Sequence, residues 1–316
     1  MTKQVKAGVG AFLWRGVRDE VVAIIAVIRE EWPVLGVVLA LLVLAVASLK
    51  PLPPNTIRIG MGQPGSGLAA IAAAYRDELA VNGVEAELVA SAGAVDNLKL
   101  VGEGKIDVGF TQSGLEAPKN IAYLGSVEYQ PLWLFHRGAP PQTDDVAAFL
   151  IGKSVSIGIE GSGTRMAADQ VLQHIAEASR SKIRLLPLDA TRTINDLIEG
   201  RLDAAFFLSP FHSPNTQKML ADPAISVLDF KNAEGLSYLM GFADRITLPA
   251  GAIGFSPVRP AHDTHMLAAT IPLVVRSDLH PALQNLLLLI STDLAQRTST
   301  PFMRATALPA LVDRKL

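Results

Sequence analysis

Two stretches of this chain echo one another about 98 residues apart, and that duplication limits the fold more than any other feature. Ile57-Arg58-Ile59-Gly60 is answered by Val155-Ser156-Ile157-Gly158, and Gly104-Lys-Ile-Asp-Val-Gly-Phe110 by Gly200-Arg-Leu-Asp-Ala-Ala-Phe206. Within the first copy, β-rich runs at 57–61, 85–91 and 107–112 alternate with helical patterns at 66–81 and 94–103. That is the βαβαβ order of an α/β fold with mainly parallel strands. Two copies with so long a period do not make a solenoid, so they read as two α/β lobes facing each other; chance similarity of two βαβ units is the competing reading. Residues 121–137 read as strand and 138–143 as a loop where a hinge belongs. Beyond the second copy, 266–276 is strand-like and 281–296 is an amphipathic helix, with Leu283, Leu286, Leu287 and Ile290 at helical spacing. These elements are assigned back to the first lobe. The expected lobes are therefore 56–145 with 262–316, and 146–261, joined by crossings at about 138–153 and 245–265 that permit closing about a hinge.

Ahead of the lobes, residues 32–49 (WPVLGVVLALLVLAVASL) carry no charge and lie between Glu30/Glu31 and Lys50. At a rise of ~1.5 Å per residue such a helix is about 27 Å long, close to the ~30 Å hydrocarbon core of a bilayer. It reads as one transmembrane helix, with a buried core helix as the alternative. Lys3, Lys6, Arg15, Arg18 and Arg29 precede it while Lys50 and Arg58 follow, which keeps the N-terminus inside. Ala45-Val46-Ala47 fits a signal-peptide cleavage pattern, but the long acid-containing region before it favours an uncleaved anchor. Residues 1–31 form a cytoplasmic or interfacial segment, in which 21–28 either lies on the membrane surface or extends the span. The prolines of 50–55 make a stiff linker. The expected location is thus the inner (cytoplasmic) membrane, single-pass, with the soluble part in the periplasm. A net charge of -2 excludes an electrostatic case for nucleic acid. The absence of cysteine removes disulfides, thiolate zinc sites and a lipid-modified cysteine.

The glycine turns carry the candidate chemistry. Gly60-Met-Gly-Gln-Pro-Gly65 satisfies GxGxxG after a strand, yet no acid ends the second strand and Pro64 lacks an amide donor, so dinucleotide binding is a weak reading. The turns around Gln63, Gly65 and Ser66 and around Ser162, Gly163, Thr164 and Arg165 instead aim helix N-terminal amides into a cleft, an arrangement that favours anions. Helix capping alone is the plainer reading of the same hydroxyls. Arg165 either clamps a carboxylate or pairs with Glu160 or Asp169. Ser91, Gly93 and Asn97, with Asp189, Thr191 and Asn195 opposite, sit at the second turns; Gln112, Ser113 and Ser209 sit at third-strand ends, where open α/β sheets bind ligands. Phe207 is the aromatic residue best placed to touch a ligand. Catalytic motifs such as GxSxG, HExxH and the P-loop are missing, and His262-Asp263-Thr264-His265 reads as a polar loop rather than a metal site. No enzyme activity, cofactor or metal is expected.

The strings GMGQPGSG, SAGAVDNLKLVGEGKIDVGFTQSG, GKSVSIGIEGSGTR and GRLDAAFFLSP resemble, in order and spacing, the TAXI family of TRAP-transporter solute-binding subunits over roughly residues 56–294. The resemblance implies a type II periplasmic-binding-protein fold, a small organic carboxylate such as glutamate, glutamine or a 2-oxoglutarate-like acid as ligand, and a sodium-coupled TRAP permease as partner. Gly67 is followed here by Leu68-Ala69, where many members carry an aromatic pair, so one wall of the family pocket differs. The string LPAGAIGFSPVRPAHDTHMLAATIPLVVRSDLHPAL is similar to a longer, membrane-anchored subgroup whose members continue into further membrane-associated segments. A membrane-anchored ligand sensor or assembly factor on the same fold is the alternative.

Overall fold

The repeated strings fold as the two ends of one mixed sheet. The computed structural model describes residues 20, 32–34, 36–46, 53–138, 143–297 and 301–304. The first run is β1 (Thr56–Gly62), α1 (Gly67–Val81), β2 (Glu85–Ala90), α2 (Ala94–Gly102), β3 (Val108–Phe110) and the long β4 (Ile121–Arg137). The second is α3 (Val146–Leu150), β5 (Ser154–Ser156), α4 (Gly163–Gln173), α5 (Glu177–Arg180), β6 (Arg184–Leu186), α6 (Ala190–Ile198) and β7 (Ala204–Leu208). It continues through α7 (Pro214–Ala221), β8 (Ile225–Val227), α8 (Ala233–Met240) and β9 (Ala243–Leu248). A hairpin of β10 (Gly254–Phe255) and β11 (Val258–Arg259) then leads to β12 (Thr264–Arg276), α9 (Pro281–Arg297) and β13 (Met303–Arg304).

The sheet order is β2-β1-β3-β12-β4-β7-β5-β6, with β1 parallel to β2 and β3, and β5 parallel to β6 and β7. Between these parallel ends β12 and β4 run antiparallel. Alternation along the strands supplies both faces with apolar groups. In the first half, Ile59, Val108 and Phe110 pack under α1 and α9, while Leu98 and Val101 of α2 cover the reverse face with Ile106 and Val274. In the second, Leu132, Leu134 and Phe206 face α4, and Trp133, Phe135 and Phe207 face α6 and α7.

The expected crossings at about 138–153 and 245–265 are not where strands change partners. β4 pairs with β12 up to Leu132 and with β7 from Leu132 onward; β12 pairs with β9 as far as Ala269 and with β3 from Leu273. Each strand is long and buried enough to serve both halves, so the passage lies inside strands and not in a separate linker. Residues 139–142 of the expected hinge loop lie outside the described residues.

The repeat also has a different register. Asp107 accepts from the Arg58 amide (2.9 Å), and Asp203 from the Ser154 amide (2.8 Å), each tying the start of the third strand to the first. These two acids are 96 residues apart (203 − 107), and so are the paired positions Ile59/Val108 and Val155/Ala204. Gly62 therefore matches Gly158, with φ of 71° and 76°, and Ser66 matches Ser162. Matching Gly60 to Gly158 by letters missed this, because the positive φ belongs to the glycine at the strand's end.

The chain divides into compact units at Leu52 and Pro53. In the first unit, residues 32–34 and 36–46 are helical, with Val37, Leu39, Leu42 and Leu44 exposed. Among the described residues no helix is long and apolar enough to cross a membrane. Leu35 and residues 47–49 of the span read from the sequence lie outside them, as do 1–19, 21–31 and 47–52 generally.

Candidate ligand-binding cleft

Four helix N-termini meet where the two halves face each other. The cleft is lined by Gln63, Ser66 and Gly67 at the start of α1, Ala92 and Gly93 at α2, Ser162, Gly163 and Thr164 at α4, and Ala190 at α6. Gln130 of β4 and Phe207, Leu208 and Ser209 at the end of β7 complete it. The caps explain these helix starts. Ser66 Oγ accepts from the Ala69 amide (3.2 Å), Ser162 Oγ from Arg165 (3.1 Å) and Asp189 from Arg192 (2.9 Å), each satisfying one amide and leaving others to point onward. No ionisable side chain lines the cleft. Its field comes from helix ends, which favour negative charge.

The halves touch across this space. The Asp96 amide donates to Gly161 O (3.2 Å). Gln63 bridges directly, its Nε2 donating to Ala92 O and its Oε1 accepting from the Ala190 amide at the start of α6, both at 3.1 Å. Glycine is required for this approach. A Cβ on Gly93, whose φ is 141°, would stand 3.1 Å from Ser162 Cα, and one on Gly163 would overlap Gln112 Oε1. The remaining cavity is about 50 Å³, so loading a ligand requires the halves to part.

Two acceptors are left over. Gln130 Nε2 donates to Leu208 O (3.1 Å), but its Oε1 is buried without a partner, and Gln112 Oε1 is likewise buried and unpaired. An unsatisfied buried carbonyl costs about 1–3 kcal/mol, which an N–H donor on a ligand removes.

Of the residues singled out from the sequence, Gln63, Ser66, Gly93, Ser162, Gly163, Thr164, Phe207 and Ser209 come together here. Gln112 lies buried behind Gly163. The others take structural roles. Asn97 is fully buried, donating to Phe110 O (2.9 Å) and Gly60 O (3.3 Å) and accepting from Ser91 Oγ (2.6 Å). Ser113 Oγ donates to Phe242 O (2.9 Å), and Gly65 is exposed beside Asn215. Arg165 pairs through Nε with Asp169 Oδ2 at 2.7 Å, one turn along α4, and does not line the cleft. His265 Nδ1 meets Asp229 at 3.0 Å, and among the described residues no cluster of three or more acids and histidines is placed to hold a metal ion.

Gly67 and Leu68, where the resemblance places the altered wall, also line the cleft, and Ala92, Ala94, Gln130, Ala190 and Leu208 line it without having been singled out. Most contribute backbone, which leaves little trace in a sequence. Gln130 did leave one, as a lone carboxamide inside the apolar strand Tyr-Gln-Pro-Leu-Trp-Leu-Phe.

Known proteins place this architecture. Residues 138–287, a little under half of the chain, match the NMT1-like family. Among solved structures, the amino acid ABC transporter substrate-binding protein AbpA from Streptococcus pneumoniae, bound to L-arginine, gives a TM-score of 0.49 at 17% identity over 77% of this chain and 90% of that one. The GluR0 ligand-binding core with L-glutamate gives 0.47 at 13% identity over 77% and 93%. The effector binding domain of a BenM variant reaches 0.51 at 16% identity, covering 79% of this chain and 100% of that one. With the duplicated halves and the shared β4 and β12, that last likeness shows a mixed α/β, two-lobed fold of the periplasmic-binding-protein kind.

Proposed function

We propose that this chain is the extracytoplasmic solute-binding subunit of a TRAP-type transporter of the TAXI kind. It captures a small carboxylate, such as glutamate or a 2-oxoglutarate-like acid, between lobes 56–145/262–316 and 146–261, and presents it to the permease. The observation that carries this reading is the meeting of four helix N-termini in an interlobe cleft lined by no ionisable side chain. Each such end contributes about 0.3–1 kcal/mol toward an anion, and more when partly buried. The unpaired Gln130 oxygen in the cleft wall adds a demand for a donor, which an α-ammonium group meets and a keto group does not. The apolar run 32–49 anchors the subunit, with residues 1–31 inside and the lobes in the periplasm. The eight exposed Val and Leu side chains at 37–39, 41–44 and 46 support this, since a bilayer accepts such a surface and water penalises it.

A thermal-shift screen of the full-length protein against small amino acids and organic acids tests the binding reading. A ligand at 100 times its dissociation constant stabilises by ~2.7 kcal/mol. Failure of every carboxylate to raise the melting temperature refutes it. Carbonate extraction with N-terminal sequencing tests the anchor; a mature chain beginning near Ser48 refutes that part.

A further inference from the structure

Behind the cleft, on the far side of Gly67, lies a larger cavity of about 190 Å³. Gly67 lines both spaces and separates them. Ile71, Ala74 and Tyr75 of α1 form one wall, Val127 of β4 and Leu294 of α9 another, and Pro210, in the turn between β7 and α7, closes it from the opposite half. The walls are predominantly apolar. Three hydroxyls stand among them: Ser213, already bonded to Ser209 and Thr216, Ser291, 3% exposed, and Tyr75, 1% exposed, whose oxygen lies beside the Ser291 hydroxyl without forming a hydrogen bond of normal geometry. The Tyr75 ring is held edge-on to Phe110 at 4.9 Å, so the phenol stays where it is.

From this geometry we infer a second ligand site, distinct from the cleft, that takes one neutral molecule of monocyclic-aromatic size bearing a single acceptor oxygen. The size argument is direct, since a dry apolar cavity of about 150 Å³ suffices for benzene. Neutrality follows from the predominantly apolar walls, against which a desolvated charge is penalised. The acceptor follows from Tyr75, an unsatisfied donor that such a guest pairs. Because the walls come from both halves, the guest binds their closed and parted arrangements unequally, and it couples to the cleft ligand by linkage. That coupling, unlike the site itself, rests on the closing motion of the proposed function.

Ligand-observed NMR titration of the full-length protein with benzyl alcohol, and with toluene as the oxygen-free control, tests the site. Saturable binding of one benzyl alcohol is expected. Ala74→Leu and Ala295→Leu fill the cavity from α1 and α9 respectively, and each should reduce binding at least tenfold while leaving the melting temperature near that of the parent. Tyr75→Phe should weaken benzyl alcohol roughly twofold to tenfold, the range for one neutral hydrogen bond, and leave toluene unchanged. Non-saturable uptake, binding that survives both filling variants, or equal benzyl alcohol affinity in Tyr75→Phe overturns the inference. So does competitive displacement by glutamate, which would put the alcohol in the cleft. The titration reads this site even where no carboxylate binds, so its failure is separable from failure of the transport reading.

Discussion

Gly67 offers a direct test of whether the two halves must meet. It is the first residue of α1, buried, with a backbone outside the left-handed region, so the helix itself accepts alanine there. The obstacle lies across the interface. An added Cβ would overlap Cδ of Pro210, with Cγ at 3.0 Å and Ser209 Oγ at 3.2 Å. A proline ring cannot swing aside, and inserting one carbon into a packed contact costs about 1–3 kcal/mol. Only the arrangement in which the halves touch bears that cost, so the closing equilibrium constant falls about 5- to 150-fold. The apparent affinity for whichever acid gives the largest thermal shift falls by up to the same factor. Isothermal titration measures it, and small-angle scattering at saturating ligand should show a larger radius of gyration in Gly67→Ala than in the parent. Pro210→Ala in the same chain removes the ring and should restore most of the affinity. Affinity within twofold of the parent, or a double variant no better than the single one, refutes the reasoning.

Asp107 sets the acid limit of the first half. Burial alone would raise its pKa, but the hydrogen bonds from Arg58 and the nearby Arg276 charge outweigh burial and hold it below the ordinary carboxylate value. A pKa lower in the folded than in the unfolded state stabilises above about pH 4 and is lost as pH falls below that. Thermal melts should therefore steepen in pH dependence below about 4, and Asp107→Asn should cost about 1.5–3 kcal/mol at neutral pH while flattening that dependence; an unchanged acid limb counts against it. Arg165→Ala should cost within about 1 kcal/mol by chemical denaturation and leave ligand affinity unchanged, because the side chain is committed to Asp169; a tenfold loss of affinity would place Arg165 in the cleft. Gln130→Leu should weaken glutamate about tenfold and 2-oxoglutarate much less, since the lost oxygen serves a donor that only the amino acid carries; equal losses would dissociate Gln130 from ligand choice.

The secondary structure was legible because its signals are local. Ser66 and Ser162 precede glycine-led helical patterns and do cap α1 and α4, and the apolar run 121–137 is β4 to the residue. What depends on register was less accessible. The 96-residue offset follows from Asp107 and Asp203 bonding to the backbone of the neighbouring strand, and letters alone cannot show which amide a carboxylate reaches. Loop composition points to crossings at about 138–153 and 245–265, whereas β4 and β12 carry apolar residues along their whole length and belong to both halves. The sequence leaves Arg165 open between a ligand carboxylate and Glu160 or Asp169, since the i,i+4 spacing to Asp169 allows a pair without requiring one.

Duplication explains why the cleft can hold an anion without a cation. Two helix N-termini of each copy, those of α1 and α2 in the first and of α4 and α6 in the second, follow the carboxyl ends of parallel strands, and the antiparallel β4–β12 pair joins the copies. The four positive ends therefore converge by symmetry, and a charged side chain at the centre would be desolvated whenever the halves close. Departures from that symmetry then give the site its direction. Gly93 begins α2 with no side chain, where Asp189, 96 residues on, begins α6 with a carboxylate. Gln63 reaches from the first half to the α6 amide, while its counterpart Ile159 has no group that could reach back. A ligand that enters with its carboxylate toward the α6 end must displace Gln63, and one that enters the other way need not. On the proposed function, the first copy, whose β4 carries the unpaired Gln130 oxygen, is the half that would read a ligand's donors, and the second, with Thr164 and the Ser162 turn, the half that would meet its charge.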